Sequence, residues 1–190
     1  MNTASTSRRT IGTAIACCLL SLALASGASA DDHQEDSRWS VGAGMGFNAL
    51  GNSTNSFLMG FDAYYQINDL VAFGPVMQIG VDGDFTLFML SGDAVIGASL
   101  NRMFGADGEF AKNFKLFGSV GMGFGHLGID AGPIDTSDQA FLFNFGAGAE
   151  YRLSRRVSLL SRMYFNVTPT LFASERFNYS WELIGARIHF

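Results

Sequence analysis

Three residues in the second half of the chain have the side-chain types of a nucleophilic catalytic site. His126 could act as a general base, Ser137 as a nucleophile and Asp130 as an orienting acid. A nucleophile needs its base within hydrogen-bond distance, so chemistry at these residues depends on how the chain folds between them. The other two histidines, His33 and His189, lie near the ends of the chain.

The sequence offers little for a metal ion or a phosphate group. No pair of His or Cys residues has the spacing of metal ligands, and Asp82-Gly83-Asp84 is too short to be a calcium site by itself. Residues 44–46 and 121–125 resemble parts of phosphate-binding loops, but no helix is predicted after them. We therefore expect no metal and no cofactor.

Six charged residues lie within segments that are otherwise apolar or rich in small residues. A buried charge is costly unless an opposite charge and hydrogen bonds compensate for it, so these residues need a shared environment. They are Asp62, Asp93, Glu150, Arg152, Arg162 and Arg187.

The elements that must position these residues are β-strands. From Trp39 onward, apolar residues recur at every second position, which is the period of a strand and not of a helix. Eight segments show this alternation, and we predict no helix and no second domain. Short turns are expected at Asn68-Asp69 and Ser154-Arg155, and longer connections at 48–56, 101–113, 129–139 and 169–178. Pro75 interrupts the third strand and predicts a bulge there.

Side-chain size decides which face of these strands is inside. One face carries mainly Gly, Ser and Asn, whereas the other carries most of the 18 Phe with Val, Ile and Met. The narrow interior of an eight-stranded barrel accommodates small residues and paired charges, but not that many Phe. An apolar exterior is stable in lipid, and a closed barrel satisfies its backbone polar groups there. The sequence therefore predicts an all-β fold: an eight-stranded antiparallel up-and-down transmembrane β-barrel with its apolar face outward.

By this alternation the six charged residues point into the barrel and should pair across it. Their pairs could form a plug or gate in a small pore, or simply fill the interior and fix the strand register. We favour filling, because an interior of eight strands is just wide enough for side chains. His126 has the parity of the outward residues, so contact with a lipid headgroup explains it without catalysis.

The first thirty residues have the features of an export signal. Arg8 and Arg9 precede an apolar stretch at 11–25, and the small residues Ala28 and Ala30 frame a cleavage site. We predict a signal peptide at 1–30, a short acidic periplasmic leader at 31–38 and the barrel at 39–190.

The cysteines and the net charge of the chain bear on its covalent structure and on its partners. Cys17 and Cys18 lie within the apolar stretch, so the mature chain has no disulfide. A lipoprotein cut before Cys17 is the alternative, but it would leave an apolar tail behind the lipid anchor. Without Arg8 and Arg9 the chain has ten basic and seventeen acidic residues, and this net charge of −7 argues against a nucleic-acid partner.

The segment from Trp39 to Phe190 resembles the small outer-membrane β-barrel family of Gram-negative bacteria, which includes OmpA-like and OmpX-like membrane domains. The resemblance rests on WSVGAG at 39–44, FGAGAEYRL at 145–153 and GARIHF at 185–190. The last segment is similar to the family's assembly signal, which Gly185, Ile188 and Phe190 match. The family pattern has a polar residue two positions before this glycine, whereas this chain has Leu183 there. Alternation places Leu183 on the inner face.

The resemblance implies a protein of the bacterial outer membrane. Its implied partners are outer-membrane lipids and lipopolysaccharide, with periplasmic chaperones and the barrel-assembly machinery during biogenesis. We expect a monomer without enzymatic activity, serving envelope integrity or surface contact, or acting as a narrow pore. The alternatives are a lipid A-modifying enzyme and a barrel that binds or transports small hydrophobic molecules, including a soluble periplasmic form.

Overall fold

The computed structural model describes residues 38–50, 54–83, 85–131, 134–172 and 175–190. The predicted export signal and nearly all of the acidic leader lie outside these ranges. So do Ala28 and Ala30 at the cleavage site, both cysteines, His33 and Asp84.

Eight strands form a closed antiparallel barrel in chain order, with β1 paired to both β2 and β8. This confirms the predicted fold class. The strands are β1 (Trp39–Leu50), β2 (Thr54–Gln66), β3 (Val71–Asp82), β4 (Phe85–Ser99), β5 (Phe114–Ala131), β6 (Ile134–Arg152), β7 (Val157–Phe172) and β8 (Glu175–His189).

The faces of the strands follow the predicted alternation. Phenyl rings stand on the outer surface, where Phe124 is 67% exposed and Phe145 is 54% exposed. Small and polar side chains such as Ser158 and Ser180 are fully buried inside. The apolar face is therefore outward, as expected. An exterior of this kind is stable in hydrocarbon and would aggregate in water.

The prediction of no helix is wrong for the connection between β4 and β5. This connection contains α1 (Leu100–Phe104) and α2 (Glu109–Asn113). The Ser99 hydroxyl accepts a hydrogen bond from the backbone N–H of Arg102 at the start of α1, and Gly105, with φ of 65°, ends it. Each helix is a single turn, which is too short to give a helical period in the sequence.

Among the described residues, no helix is long and apolar enough to cross a membrane.

The strands extend farther than expected at the end of the barrel opposite the chain termini. We call the end with Trp39 and Phe190 the terminal end and the opposite end the loop end. β5 and β6 pair from Phe114↔Tyr151 as far as Ala131↔Ile134. The segment 129–139, expected as a loop, is therefore almost entirely paired strand. Backbone hydrogen bonds continue the ladder past the point where the apolar alternation of side chains stops.

The bulge predicted at Pro75 is absent from the β3–β4 pairing. The register runs without a shift through Pro75↔Gly92. On the other side, β3 keeps one register with β2 above and below this point, from Asp62↔Val76 to Tyr65↔Phe73. Pro75 therefore interrupts the ladder locally without adding a residue to the strand.

A bulge does occur in β8. Gly46 pairs with Glu182 whereas the preceding Met45 pairs with Ile184, so Leu183 is the extra residue. Leu183 and Ile184 are both outward, with 50% and 59% of their surfaces exposed. This corrects the expectation that Leu183 faces the interior, because a bulge resets the alternation of a strand.

Candidate functional site in the barrel interior

The inward positions of four strands bring charged side chains together in the middle of the barrel. Every one of these side chains is at least nine-tenths buried. β2 supplies Asp62, β6 supplies Glu150, β7 supplies Arg162, and β8 supplies Glu182, Arg187 and His189. We call these six residues the interior network.

Asp62 joins the two arginines of the interior network. Its Oδ2 lies 2.7 Å from Nη1 of Arg162, and its Oδ1 lies 3.0 Å from Nη2 of Arg187. Arg187 Nε donates a further hydrogen bond of 3.2 Å to the same Oδ1. One carboxylate of β2 therefore contacts guanidinium groups from β7 and β8, which closes the network across the barrel.

Glu182 holds the other side of Arg162. Arg162 Nε lies 2.8 Å from Oε2 of Glu182 and Nη2 lies 3.0 Å from Oε1, which is the two-point geometry that a guanidinium forms with a carboxylate. Gln78 donates from Nε2 to Oε1 of Glu182 at 3.3 Å, and the Ser180 hydroxyl donates to Oε1 of Gln78. The carboxylate of Glu182 is thus bonded from β7 and β3.

Glu150 links the network to the terminal end of the barrel. Its Oε2 lies 2.8 Å from Nη1 of Arg187, and its Oε1 lies 3.1 Å from Nε2 of His189. The same His189 nitrogen is 2.9 Å from the hydroxyl of Ser158. Residues of β6, β7 and β8 are therefore bonded together next to the place where the chain ends.

Two tyrosines pack against the guanidinium groups. The Cζ of Arg162 lies 5.4 Å from the ring centre of Tyr164, and the Cζ of Arg187 lies 5.1 Å from that of Tyr64. The two hydroxyls are 3.4 Å apart, close enough for one to donate to the other. A cation over an aromatic face is favoured, and more so where water is excluded.

Glycines leave the space that these carboxylates occupy. A Cβ added at Gly60 would collide with the carboxylate of Glu182, and one added at Gly42 would lie against the carboxylate of Asp62. The inward glycines of β1 and β2 are therefore required by the charged side chains that lie over them.

Asp93 is buried apart from the interior network. Its Oδ1 accepts hydrogen bonds from the Ser91 hydroxyl at 2.7 Å and from Nδ2 of Asn144 at 3.0 Å. Its Oδ2 has no hydrogen-bond partner among the described residues. No Lys or Arg of the described chain lies within ion-pair distance of it, so the cross-barrel pairing expected for Asp93 is not seen.

The six charged residues that were predicted to face the interior therefore lie in different environments. The structure brings Asp62, Glu150, Arg162 and Arg187 into one network. Asp93 lies inside without a cation, and Arg152 is exposed at the terminal end of β6. Being the last residue of its strand, Arg152 reaches water and not the interior.

Sequence reasoning missed two members of the network. The inward direction of Glu182 was not predicted because of the bulge. Strict alternation backwards from Gly185 places Leu183 inside and Glu182 outside. His189 has inward parity in the sequence, which was a usable signal for its position.

At the loop end, the side of the interior formed by β4, β5 and β6 is apolar, which the sequence analysis did not predict. Five buried side chains from β4, β5 and β6 form one cluster, which we call the apolar layer. They are Leu87, Met89, Leu127, Ala140 and Leu142, and none is more than 6% exposed. Where apolar residues follow one another along a strand, as at 141–143, their side chains point alternately to the exterior and to the interior.

His126, Ser137 and Asp130 do not form a catalytic triad. Gln139 pairs with His126 and Ser137 pairs with Gly128, so Ser137 is a diagonal neighbour of His126 on the same outward face. The Cα atoms of diagonal neighbours are about 7–8 Å apart, and no hydrogen bond joins these two side chains in the described part of the chain. Asp130 lies four residues along β5, or about 13 Å at 3.3 Å per residue. In the described part of the chain, no group of three or more His, Cys, Asp or Glu could hold a metal ion.

The residues of the predicted assembly signal lie in β8 and just after it. Gly185 is buried, and a Cβ added there would lie 2.9 Å from the carbonyl oxygen of Ala43 on β1. Phe190 is 59% exposed, and its N–H donates to the carbonyl oxygen of Trp39 at 2.9 Å. Ile188 pairs with Val41. These residues therefore form part of the seam between the first and last strands.

Comparison with known proteins identifies the family. A family model described as the outer membrane protein beta-barrel domain matches residues 15–172. A search of curated proteins found no match.

Three solved structures share the fold. Neisserial surface protein A (NspA) superposes with a TM-score of 0.61 and 16% identity, over 80% of this chain and 96% of that chain. The N-terminal β-barrel domain of Pseudomonas aeruginosa OprF gives 0.54 and 17%, over 82% and 100%. Ail, the attachment invasion locus protein of Yersinia pestis, gives 0.52 and 13%, over 80% and 96%. The chain therefore belongs to the outer membrane protein β-barrel family, whose members lie in the bacterial outer membrane.

Proposed function

We propose that this protein is a non-conducting barrel with a structural role in the outer membrane. The observation that carries the proposal is that the interior is closed at two levels. At the middle, Arg162 is 1% exposed and Glu182 is fully buried. At the loop end, Leu87, Leu127 and Leu142 are at most 2% exposed. A continuous water channel would leave its lining side chains accessible.

The two levels oppose ion passage for different reasons. An ion passing the apolar layer would lose water on the side of β4, β5 and β6, where the leucine and methionine side chains offer no hydrogen-bond partner, which is costly. An ion at the interior network would have to displace guanidinium and carboxylate groups that form ion pairs with nitrogen–oxygen distances of 2.7–3.0 Å. Both levels support interior filling over a gated pore.

Single-channel recording in planar lipid bilayers tests this proposal. Purified protein is expected to give no steps of current above the bare bilayer, whereas a large porin added to the same bilayer gives them. Current steps from the protein alone, scaling with salt concentration, would show that the interior conducts and would overturn the proposal.

The route to the membrane is also a proposal. Residues 1–30 would direct export and be removed after Ala30, and Gly185, Ile188 and Phe190 would be recognised by the barrel-assembly machinery. The mass of the protein purified from outer membranes tests the cleavage site. Replacement of Phe190 by Ser should lower the amount of assembled barrel while leaving synthesis unchanged.

Surface contact is the second candidate function, and the length of β5 and β6 favours it. Both strands run on past the outward rings of Phe124 and Phe141, to Ala131 and Ile134. A hairpin that extends past the aromatic rings stands in the aqueous phase outside the cell. Replacing residues 128–137 by a two-residue turn should abolish binding to surfaces if this function holds, and leave the barrel assembled.

The lipid A-modifying alternative has a direct test. Mass spectra of lipid A from cells with and without the protein should be the same, because a nucleophile needs a hydrogen bond to its base and none joins Ser137 to His126 in the described part of the chain. A change in acyl chains or headgroups between the two samples would assign the protein to that enzyme class.

A further inference from the structure

The helical connection between β4 and β5 lies against the outside of the barrel. The ring of Phe110 in α2 stacks on Phe114 at 5.2 Å and on Tyr151 at 5.6 Å, with interplanar angles below 30°. Phe114 and Tyr151 pair with each other at the terminal ends of β5 and β6. Ala111 of α2 is 6% exposed, so this helix is packed. The connection therefore lies beside the wall, at the level of the aromatic residues of the terminal end.

The same connection exposes large apolar side chains. Phe104 is 71% exposed, Phe110 is 59% exposed and Met103 is 49% exposed. Side chains of this size are unfavourable in water when they cluster, and aromatic ones are favoured at the boundary between lipid and water. The contacts of Phe110 with Phe114 and Tyr151 place the connection at that boundary.

An apolar groove separates α1 from the barrel wall. Its volume is about 240 Å³, and Met103 closes one side of it. The opposite side is formed by the ends of β4 and β5 and by the turn before β3. The remaining lining residues are Leu70, Ile96, Gly97, Ala98, Leu116, Phe117 and Gly118.

A cation stands at the edge of this groove. Arg102 precedes Met103 in α1, and its Nη1 lies 3.7 Å from Oδ2 of Asp69, the neighbour of Leu70. Both side chains are more than half exposed, so this ion pair is weak and solvated. A guanidinium in this position can bond a phosphate group at two points while keeping its charge in the headgroup region.

We propose that this groove binds a phospholipid of the periplasmic leaflet, with an acyl chain between α1 and the wall and its phosphate on Arg102. The apolar lining fits methylene groups and nothing polar in it requires water. The exposed side chains of Met103 and Phe104 continue the apolar surface into the surrounding lipid. The proposal rests on the location of the barrel in the membrane and not on the lack of conductance.

Native mass spectrometry of the protein released from nanodiscs of phosphatidylglycerol and phosphatidylethanolamine tests the proposal. Gly118→Leu fills the groove, since Gly118 lines it and an added Cβ would meet only the carbonyl oxygen of Gly146 at 3.7 Å. Gly92→Leu is the matched control, because Gly92 is also exposed on the wall and an added Cβ there meets nothing within 4 Å. Barrel formation of each variant is checked by its heat-dependent gel shift.

We expect one phosphatidylglycerol to stay bound to the original protein and to Gly92→Leu, and to be lost from Gly118→Leu. Arg102→Gln should weaken retention about tenfold and reduce the preference for the anionic lipid. Equal retention by all four proteins, or loss caused equally by Gly92→Leu, would overturn the proposal.

A second measurement does not depend on a groove variant. The described chain has no cysteine, so single cysteines at Phe104 and Asp107 can each carry a fluorescent label. We expect brominated phospholipid to quench the label at 104, and aqueous iodide to quench the label at 107. Iodide quenching at both positions would place the connection in water and rule out the lipid site.

Discussion

Arg162 and Glu182 form a two-point ion pair inside the barrel, with nitrogen–oxygen distances of 2.8 and 3.0 Å. The pair joins β7 to β8, and Asp62 on β2 contacts the remaining nitrogen of Arg162. Arg187, also on β8, reaches Asp62 and Glu150. The last strand therefore makes side-chain bonds to strands that are not its neighbours, and these bonds exist only when the barrel is closed.

Replacing Arg162 by Met should strongly destabilise the barrel. The substitution leaves Asp62 with one cation fewer and Glu182 with no cation, both fully buried. Breaking a buried pair by removing one partner costs about 3–5 kcal/mol. Equilibrium unfolding in urea, followed by the fluorescence of Trp39 and Trp181, measures this loss.

Arg155→Met provides the control for that experiment. Arg155 is exposed in the turn between β6 and β7, so its replacement should change the free energy of unfolding by less than about 0.5 kcal/mol. If both variants unfold at the same urea concentration, the interior network contributes nothing to stability.

Asp93→Asn and Asp62→Asn should have opposite effects on stability. Asp62 contacts two guanidinium groups, so neutralising it removes one of the two carboxylates that each of them contacts. Asp93 has no cation among the described residues, so an amide of the same shape removes the cost of a buried charge. The free energy of unfolding should fall by about 2–4 kcal/mol for Asp62→Asn and stay the same or rise for Asp93→Asn. If Asp93→Asn lowers the free energy of unfolding as much as Asp62→Asn does, Asp93 has a cationic partner of its own.

The fold could be predicted because a two-residue pattern recurs over most of the strands. Exposed Phe145 and buried Asn144 illustrate it, and eight repetitions of this contrast fix both strand number and orientation. The helices α1 and α2 could not be predicted in this way. The capping hydroxyl of Ser99 and the left-handed Gly105 set the limits of α1, whereas α2 has no side-chain cap.

The site was only partly predictable. Parity along the strands gave the inward direction of Asp62, Glu150, Arg162 and Arg187. Their partners could not be found this way, because contacts across a barrel depend on the stagger of distant strands. The apolar layer was not predicted because its residues are next to outward apolar residues in the sequence. In runs such as 87–90, inward and outward positions are both apolar, so alternation gives no contrast.

Gly60→Ala should destabilise the barrel although it adds a single methyl group. The new Cβ would collide with the carboxylate of Glu182, which Arg162 holds in place. Overfilling a packed interior costs about 1–3 kcal/mol. Gly92→Ala, which meets nothing within 4 Å, should leave the urea midpoint unchanged.

A compensating change tests whether the clash itself is responsible. Glu182→Asp shortens the side chain that the new methyl group meets. In the Gly60→Ala background it should therefore cost less than it does in the original protein. If the two substitutions are simply additive, the space between Gly60 and Glu182 does not limit stability.

Deleting Leu183 should leave the barrel able to assemble. Leu183 is the extra residue of the bulge, and without it Glu182 and Ile184 follow each other opposite Gly46 and Met45. Glu182 and Arg187 then both keep their inward direction. Deleting Ala186 instead forces either Arg187 or the segment before it to change faces, because a one-residue shift inverts the alternation of a strand. The heat-dependent gel shift of refolded protein should show folded barrel for the first deletion and little or none for the second. Failure of both deletions alike would mean that the bulge at Leu183, and not only the direction of the side chains around it, is needed for closure.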